Sequence, residues 1–147
     1  MRTKLMAAAL IALVLPAAVA CSPVSGDTPA REARIEIAID EFEAEKDIAR
    51  EVEIAEGGTL TLMLGSNPTT GFSWPEAADI ADPTVLQQTG SEIQPAQAQG
   101  MVGAPGAQAW TFKALKKGTT TLSLDYSRPW EGGEKGVWTF ELTVTVR

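Results

Sequence analysis

From Ala33 onward, apolar residues recur at every second position. Ile35, Ile37 and Ile39 alternate with Glu36 and Ala38, and Val52 and Ile54 share a parity within a weaker run over 48–55. Leu60, Leu62 and Leu64 alternate with Thr59, Thr61 and Met63, and Phe72 and Trp74 flank Ser73. Trp110, Phe112 and Ala114 follow, then Leu122, Leu124 and Tyr126, and finally Trp138, Phe140, Leu142, Val144 and Val146. A period of two places successive side chains on opposite faces of a strand, so this is the pattern of antiparallel strands with one buried face. The predicted strands are 34–40, 48–55, 59–65, 71–75, 84–89, 108–115, 119–127 and 137–146. No long window carries a helical stripe; Glu76–Ala81 is expected to make one helical turn at most, and residues 94–107, rich in Gln, Ala, Gly and Pro, a long loop. About seven to eight short strands in about 115 residues predict an all-β, immunoglobulin-like antiparallel β-sandwich. Trp110, Phe112, Trp138 and Phe140 sit in strand alternation and are expected in its core.

The first twenty residues follow a different pattern. Arg2 and Lys4 precede an unbroken apolar run, Leu5–Leu15, of 11 residues. That is short of the roughly 20 residues a membrane-spanning helix needs, and Ala17-Ala18-Val19-Ala20 supplies small residues for cleavage, so 1–20 reads as an export signal. Ala18-Val19-Ala20-Cys21 resembles a bacterial lipobox, with Ala18 where leucine is usual; the resemblance implies lipidation of Cys21 and anchoring to a lipid bilayer. The other reading is an ordinary Ala-x-Ala signal with simple secretion. Ser22, not being aspartate, fits sorting to an outer membrane. Residues 22–32 read as a spacer between lipid and domain, and 33–147 as the single folded domain.

Composition narrows the chemistry. The chain of 147 residues has no histidine and one cysteine, which removes histidine-based triads, Cys-His dyads, histidine metal sites and an internal disulfide. Net charge is −7, and loss of the signal leaves 10 basic against 19 acidic residues, a net −9. Phosphate recognition rests on clustered Lys and Arg, so nucleic acid is not an expected partner. No cofactor is expected, and a monomer is.

Three segments do not read as plain turns. The first is Ser66-Asn67-Pro68-Thr69-Thr70-Gly71-Phe72, the second Gly100–Gly106, and the third Tyr126-Ser127-Arg128-Pro129-Trp130-Glu131-Gly132-Gly133. If successive strands reverse direction, these are every second connection and emerge at one end of the sandwich. Trp130 lies off the strand pattern; it either meets a partner or folds back to cap the sandwich.

In this order the three segments resemble the chagasin family of cysteine-peptidase inhibitors. Asn67-Pro68-Thr69-Thr70-Gly71-Phe72 matches the family's first motif and Arg128-Pro129-Trp130 its third. The glycine-rich second motif falls on Gly103-Ala104-Pro105-Gly106, with Pro105 where glycine is expected. The resemblance covers residues 33–147 and implies an immunoglobulin-like sandwich that reversibly inhibits papain-like cysteine peptidases. The first loop would enter the active-site cleft and the other two grip its sides. Thr69 and Thr70 would bring hydroxyls near the catalytic centre, Trp130 would be an aromatic anchor, and Arg128 would donate to carbonyls or stack on a ring. None of these groups needs to react.

Two other classes compete with that reading. A structural or adhesive surface domain leaves the loops without a peptidase. A glycoside hydrolase would use carboxylate pairs such as Asp40 with Glu41 or Asp125 with Glu131.

Overall fold

The computed structural model describes residues 28–95 and 105–147. The signal segment, Cys21, Met101, Val102, Gly103 and Ala104 lie outside the described residues. The strands are β1 (Glu32–Ile37), β2 (Asp47–Ile54), β3 (Thr59–Ser66), β4 (Asp79–Ile80), β5 (Leu86–Gln94), β6 (Gly106–Ala114), β7 (Gly118–Tyr126) and β8 (Trp138–Val146), with one short helix, α1 (Ile39–Ala44). They form two four-stranded sheets, ordered β1-β3-β6-β5 and β2-β8-β7-β4. The inward positions are those the period of two selected: Leu60, Leu62 and Leu64 of β3, Trp110 and Phe112 of β6, Leu122 and Leu124 of β7, and Phe140, Leu142 and Val144 of β8 are buried between the sheets.

The sandwich is as expected, but four local expectations are corrected. First, the pairing is mixed. β1 runs parallel to β3 and β2 parallel to β8, while the β3–β6, β5–β6, β7–β8 and β4–β7 pairs are antiparallel. The chain crosses from one sheet to the other between β1 and β2, so neither strand pairs with its sequence neighbour. Second, the segment carrying that crossing is α1, where the alternation had extended a strand to residue 40. Its buried residue Phe42 holds it to the core, and the Glu41 carboxylate accepts from the Ala38 N–H at 3.3 Å in place of a side-chain cap. Third, residues 71–75 form no full strand. Pro75 closes the segment without an N–H to offer, and only Ser73 bridges, exchanging both backbone bonds with Ser127 at 2.9 and 3.0 Å. Fourth, Asp79–Ile80 is a short edge strand rather than a helical turn, and β5 reaches Gln94, with a register irregularity between Gln88 and Gly90. Gly106 is already in β6, so the expected loop over 94–107 shortens at both ends.

These pairings fix the directions within each sheet, and the bond from the Asn67 N–H after β3 to the Tyr126 hydroxyl at the end of β7 sets the two sheets relative to each other. β1, β3, β5 and β7 all run toward one end, and β2, β4, β6 and β8 run away from it. The connections after β1, β3, β5 and β7 therefore share that end. They are α1 and the three loops singled out from the sequence.

Candidate functional site at the loop end

The first loop is a tight turn made by its own side chains. Asn67 leaves β3 with φ −123° and ψ 89°, outside the helical region that a following proline disfavours. Pro68 opens a three-residue 3-10 turn, Pro68–Thr70, at the position where a missing N–H costs nothing. The Asn67 side-chain oxygen accepts from the Thr69 hydroxyl at 2.6 Å and from the Thr69 N–H at 3.3 Å. The Thr70 hydroxyl donates to the Asn67 carbonyl at 2.8 Å. Both threonine hydroxyls thus spend their proton inside the loop. The family resemblance implied groups for a partner; the structure gives them the task of shaping the turn, and the Thr70 oxygen also accepts from the Phe72 N–H at 3.5 Å. Pro68, Thr69 and Thr70 are exposed.

Gly71 ends the turn in the left-handed region, at φ +80°. A side chain there faces a second obstacle: a Cβ would lie 2.7 Å from Cη2 of Trp130. The indole of the third loop therefore lies across the glycine of the first. Trp130 is 53% exposed, so it does not fold back into the core as a cap. The capping alternative is overturned.

Beneath the loop tips runs a stack of aromatic rings. Phe42 stacks on Trp138 at 5.4 Å between centroids, Trp138 on Tyr126 at 4.8 Å, and Tyr126 on Phe72 at 5.6 Å. Trp74 packs against both Phe42 and Tyr126, and its indole N–H donates to the Gly65 carbonyl at 2.9 Å. The Arg128 guanidinium continues the column, 4.4 Å above the Phe72 ring and 5.9 Å from that of Trp130. It also reaches the Thr70 carbonyl at 3.5 Å and approaches Glu134 at 4.0 Å. Each aromatic or cation–π contact of this kind contributes of order 1 kcal/mol, and together they form a pillar from the buried Phe42 ring of α1 to the loop tips. Phe72 therefore supports the site from below, half-buried, rather than standing at its tip. Arg128 satisfies both roles expected of it within the protein itself.

Tyr126 opens the third segment in the sequence, but nothing there assigned it a role in the site. Its hydroxyl accepts from the Asn67 N–H at 2.9 Å and lies 3.3 Å from the Asn67 carbonyl, pinning the first loop to the end of β7. The available signal was a core-parity tyrosine immediately before the third motif, because a buried tyrosine hydroxyl needs a partner. Phe42 was hidden more deeply, as one apolar residue among acids. In the third loop Pro129 is exposed beside Trp130. Of the second loop, Pro105 is exposed and Gly106 pairs with Ser66 at the base of the first loop. That brings the described part of the second loop to the same edge. Gly103 and Ala104 lie outside the described residues.

Of the carboxylate pairs proposed for glycoside hydrolysis, Asp40 and Glu41 are neighbours on α1, while Asp125 is on β7 and Glu131 in the third loop. No group of three or more metal-ligating side chains forms among the described residues. A sandwich whose first and third loops are internally bonded and meet at one end presents a surface of the kind that binds another protein.

The particular family follows from comparison with known proteins. Residues 53–144 match the chagasin family peptidase inhibitor I42, and the chain belongs to that family. It is a peptidase inhibitor and not an enzyme. It is 35% identical over 106 residues to Amoebiasin-2 of Entamoeba histolytica, covering 70% of this chain and 82% of the relative. It is 31% identical over 80 residues to Chagasin of Trypanosoma cruzi, covering 54% of this chain and 73% of that protein. Among solved structures it is similar to the cysteine protease inhibitor EhICP2 from Entamoeba histolytica, with a TM-score of 0.62, 27% identity, and coverage of 79% of this chain and 97% of the other.

Proposed function

We propose that this protein is a reversible, non-covalent inhibitor of papain-like cysteine peptidases that blocks the active-site cleft with the loops at one end of the sandwich. The observation that carries this reading is the pre-bonded turn Asn67–Gly71 with Trp130 laid across it. A loop entering a cleft loses conformational freedom, and each side chain immobilised at an interface costs about 0.5–1.5 kcal/mol. Here the turn is held by Asn67, Pro68, Thr69 and Thr70 and pinned by Tyr126 before any partner arrives, so little of that cost remains. A proline-led turn also offers a peptidase no extended backbone to cleave. Trp130 and Pro129 supply exposed, rigid apolar contact area beside it, the type of anchor that dominates protein interfaces. Pro105 and Gly106, with Gly103 and Ala104, would contact the opposite wall of the cleft.

The reading is tested with a peptidase whose catalytic cysteine is replaced by alanine. Binding that needs no reaction gives a one-to-one complex in calorimetry with both active and inactive enzyme. Binding to the active enzyme alone contradicts the non-covalent mechanism.

The same proposal places the protein outside the cytoplasm, cleaved before Cys21 and tethered by lipid on that residue, at the periplasmic face of an outer membrane or at the cell surface. The spacer after Cys21 leaves the loop end free to reach a soluble enzyme. Metabolic labelling with palmitate is expected to mark the wild-type protein and to fail with Cys21→Ser; equal labelling of both contradicts the anchor.

A further inference from the structure

The third loop has eleven residues between β7 and β8, 127–137, and it carries the anchor Trp130. A loop of this length has no fixed shape unless its backbone groups are satisfied. Its base is closed by four bonds: the Arg128 N–H to the Glu134 carbonyl at 2.8 Å, the Gly133 N–H to the Trp130 carbonyl at 3.1 Å, the Val137 N–H to the Tyr126 carbonyl at 3.0 Å, and the Gly136 N–H to the Ser127 hydroxyl at 2.8 Å. The two carbonyls that flank Pro129, those of Arg128 and Trp130, receive a further donor. It is the ammonium of Lys135, which bonds to the Arg128 carbonyl and, at 3.0 Å, to the Trp130 carbonyl. One cation on the returning limb thus ties together the carbonyls before and after the Pro129–Trp130 step, fixing the limb that carries Trp130. Pro129 has no N–H, so the loop lacks a backbone donor at the very place where the lysine enters.

We propose that Lys135 is the positioning residue of the third loop, holding Trp130 over Gly71 before the peptidase binds. The inference rests on the inhibitory reading above for its functional consequence, but the geometry can be tested apart from inhibition. A charge-assisted bond to a carbonyl is stronger than a neutral one. Removing the ammonium while keeping the apolar stem releases both carbonyls, and the population with Trp130 in place falls. An inhibitor whose competent state is populated to a fraction f binds more weakly by the factor 1/f. Lys135 itself need not touch the enzyme.

The experiment compares the wild type with Lys135→Met and Lys135→Arg. Two readouts are taken: acrylamide quenching of tryptophan fluorescence, and the inhibition constant against a papain-like peptidase. Trp74 and Trp110 are buried and Trp138 is half-buried, so the readily quenched component reports Trp130. Lys135→Met is expected to change that component and to raise the inhibition constant about tenfold, with little change in melting temperature. Lys135→Arg, which also brings a cation with several donors, is expected to restore both. Unchanged quenching in Lys135→Met overturns the proposal, whatever happens to inhibition; weaker inhibition with unchanged quenching is what loss of a direct lysine–enzyme contact would give. If the wild type inhibits no such peptidase, the inhibitory reading fails, and quenching alone still decides whether Lys135 positions Trp130.

Discussion

At Gly71 two constraints coincide. The backbone needs φ +80° to leave the turn, and the space where a Cβ would sit holds the Trp130 ring. Gly71→Ala is therefore expected to cost about 1 kcal/mol of backbone strain and to displace the indole, so that binding suffers more than folding. Thermal denaturation and an inhibition assay run on the same sample would separate the two effects. Trp130→Ala tests the other side of the same contact. Half of that side chain faces solvent, so the melting temperature should barely move, while affinity should fall about thirtyfold, the equivalent of ~2 kcal/mol at an interface hot spot. Unfolding on that substitution would make Trp130 a structural residue instead. Thr69→Ala with Thr70→Ala should also weaken binding, by loosening the turn around Asn67 rather than by deleting a contact.

The elements show where sequence pattern carries information and where it does not. β3, β6, β7 and β8 were legible because each has one fully buried face, and a one-residue slip would expose every apolar side chain on it. The edges were less legible. β1 and β2 pair parallel to their neighbours, yet alternation is the same in parallel and antiparallel edge strands, so the periodicity held no trace of the difference. Helix α1 has six residues and one buried side chain, Phe42, among Asp40, Glu41 and Glu43, too few for a helical stripe. Phe72-Ser73-Trp74 alternates like a strand, but both aromatics point into the pillar while only Ser73 finds a backbone partner. The motifs of the first and third loops were readable as residues; their mutual contact was not, because only the folded chain brings Gly71 to Trp130. The joint between β7 and the first loop yields a further prediction. Tyr126→Phe removes the hydroxyl bonded to Asn67 while leaving the ring stack, and should lower stability by about 1 kcal/mol, a typical net hydrogen-bond contribution. A melting temperature equal to wild type would show that the pillar alone holds the loop.

Across the whole molecule, the absence of histidine means that no side chain of this type titrates between pH 5 and 8, so stability should be nearly flat in that range. The acid side differs. The Asp82 carboxyl is held below the usual carboxylate range, chiefly because the Thr84 hydroxyl donates to it, together with the Thr84 N–H. A carboxylate depressed on folding stabilises the native state above its unfolded value, and that contribution is lost as pH falls through the folded one. Melting temperature measured against pH should therefore drop on the acid side, and Asp82→Asn should make that drop shallower. The loop end lies away from this corner of the fold, since Asp82 sits between β4 and β5.

The account stands or falls on whether the folded edge blocks a cysteine peptidase. The most direct measurement titrates residues 22–147 into papain with a fluorogenic substrate, followed by dilution to test reversal. The predicted result is competitive, fully reversible inhibition at one inhibitor per enzyme, with an inhibition constant below a micromolar. A folded protein that leaves papain and a panel of related peptidases fully active would contradict it.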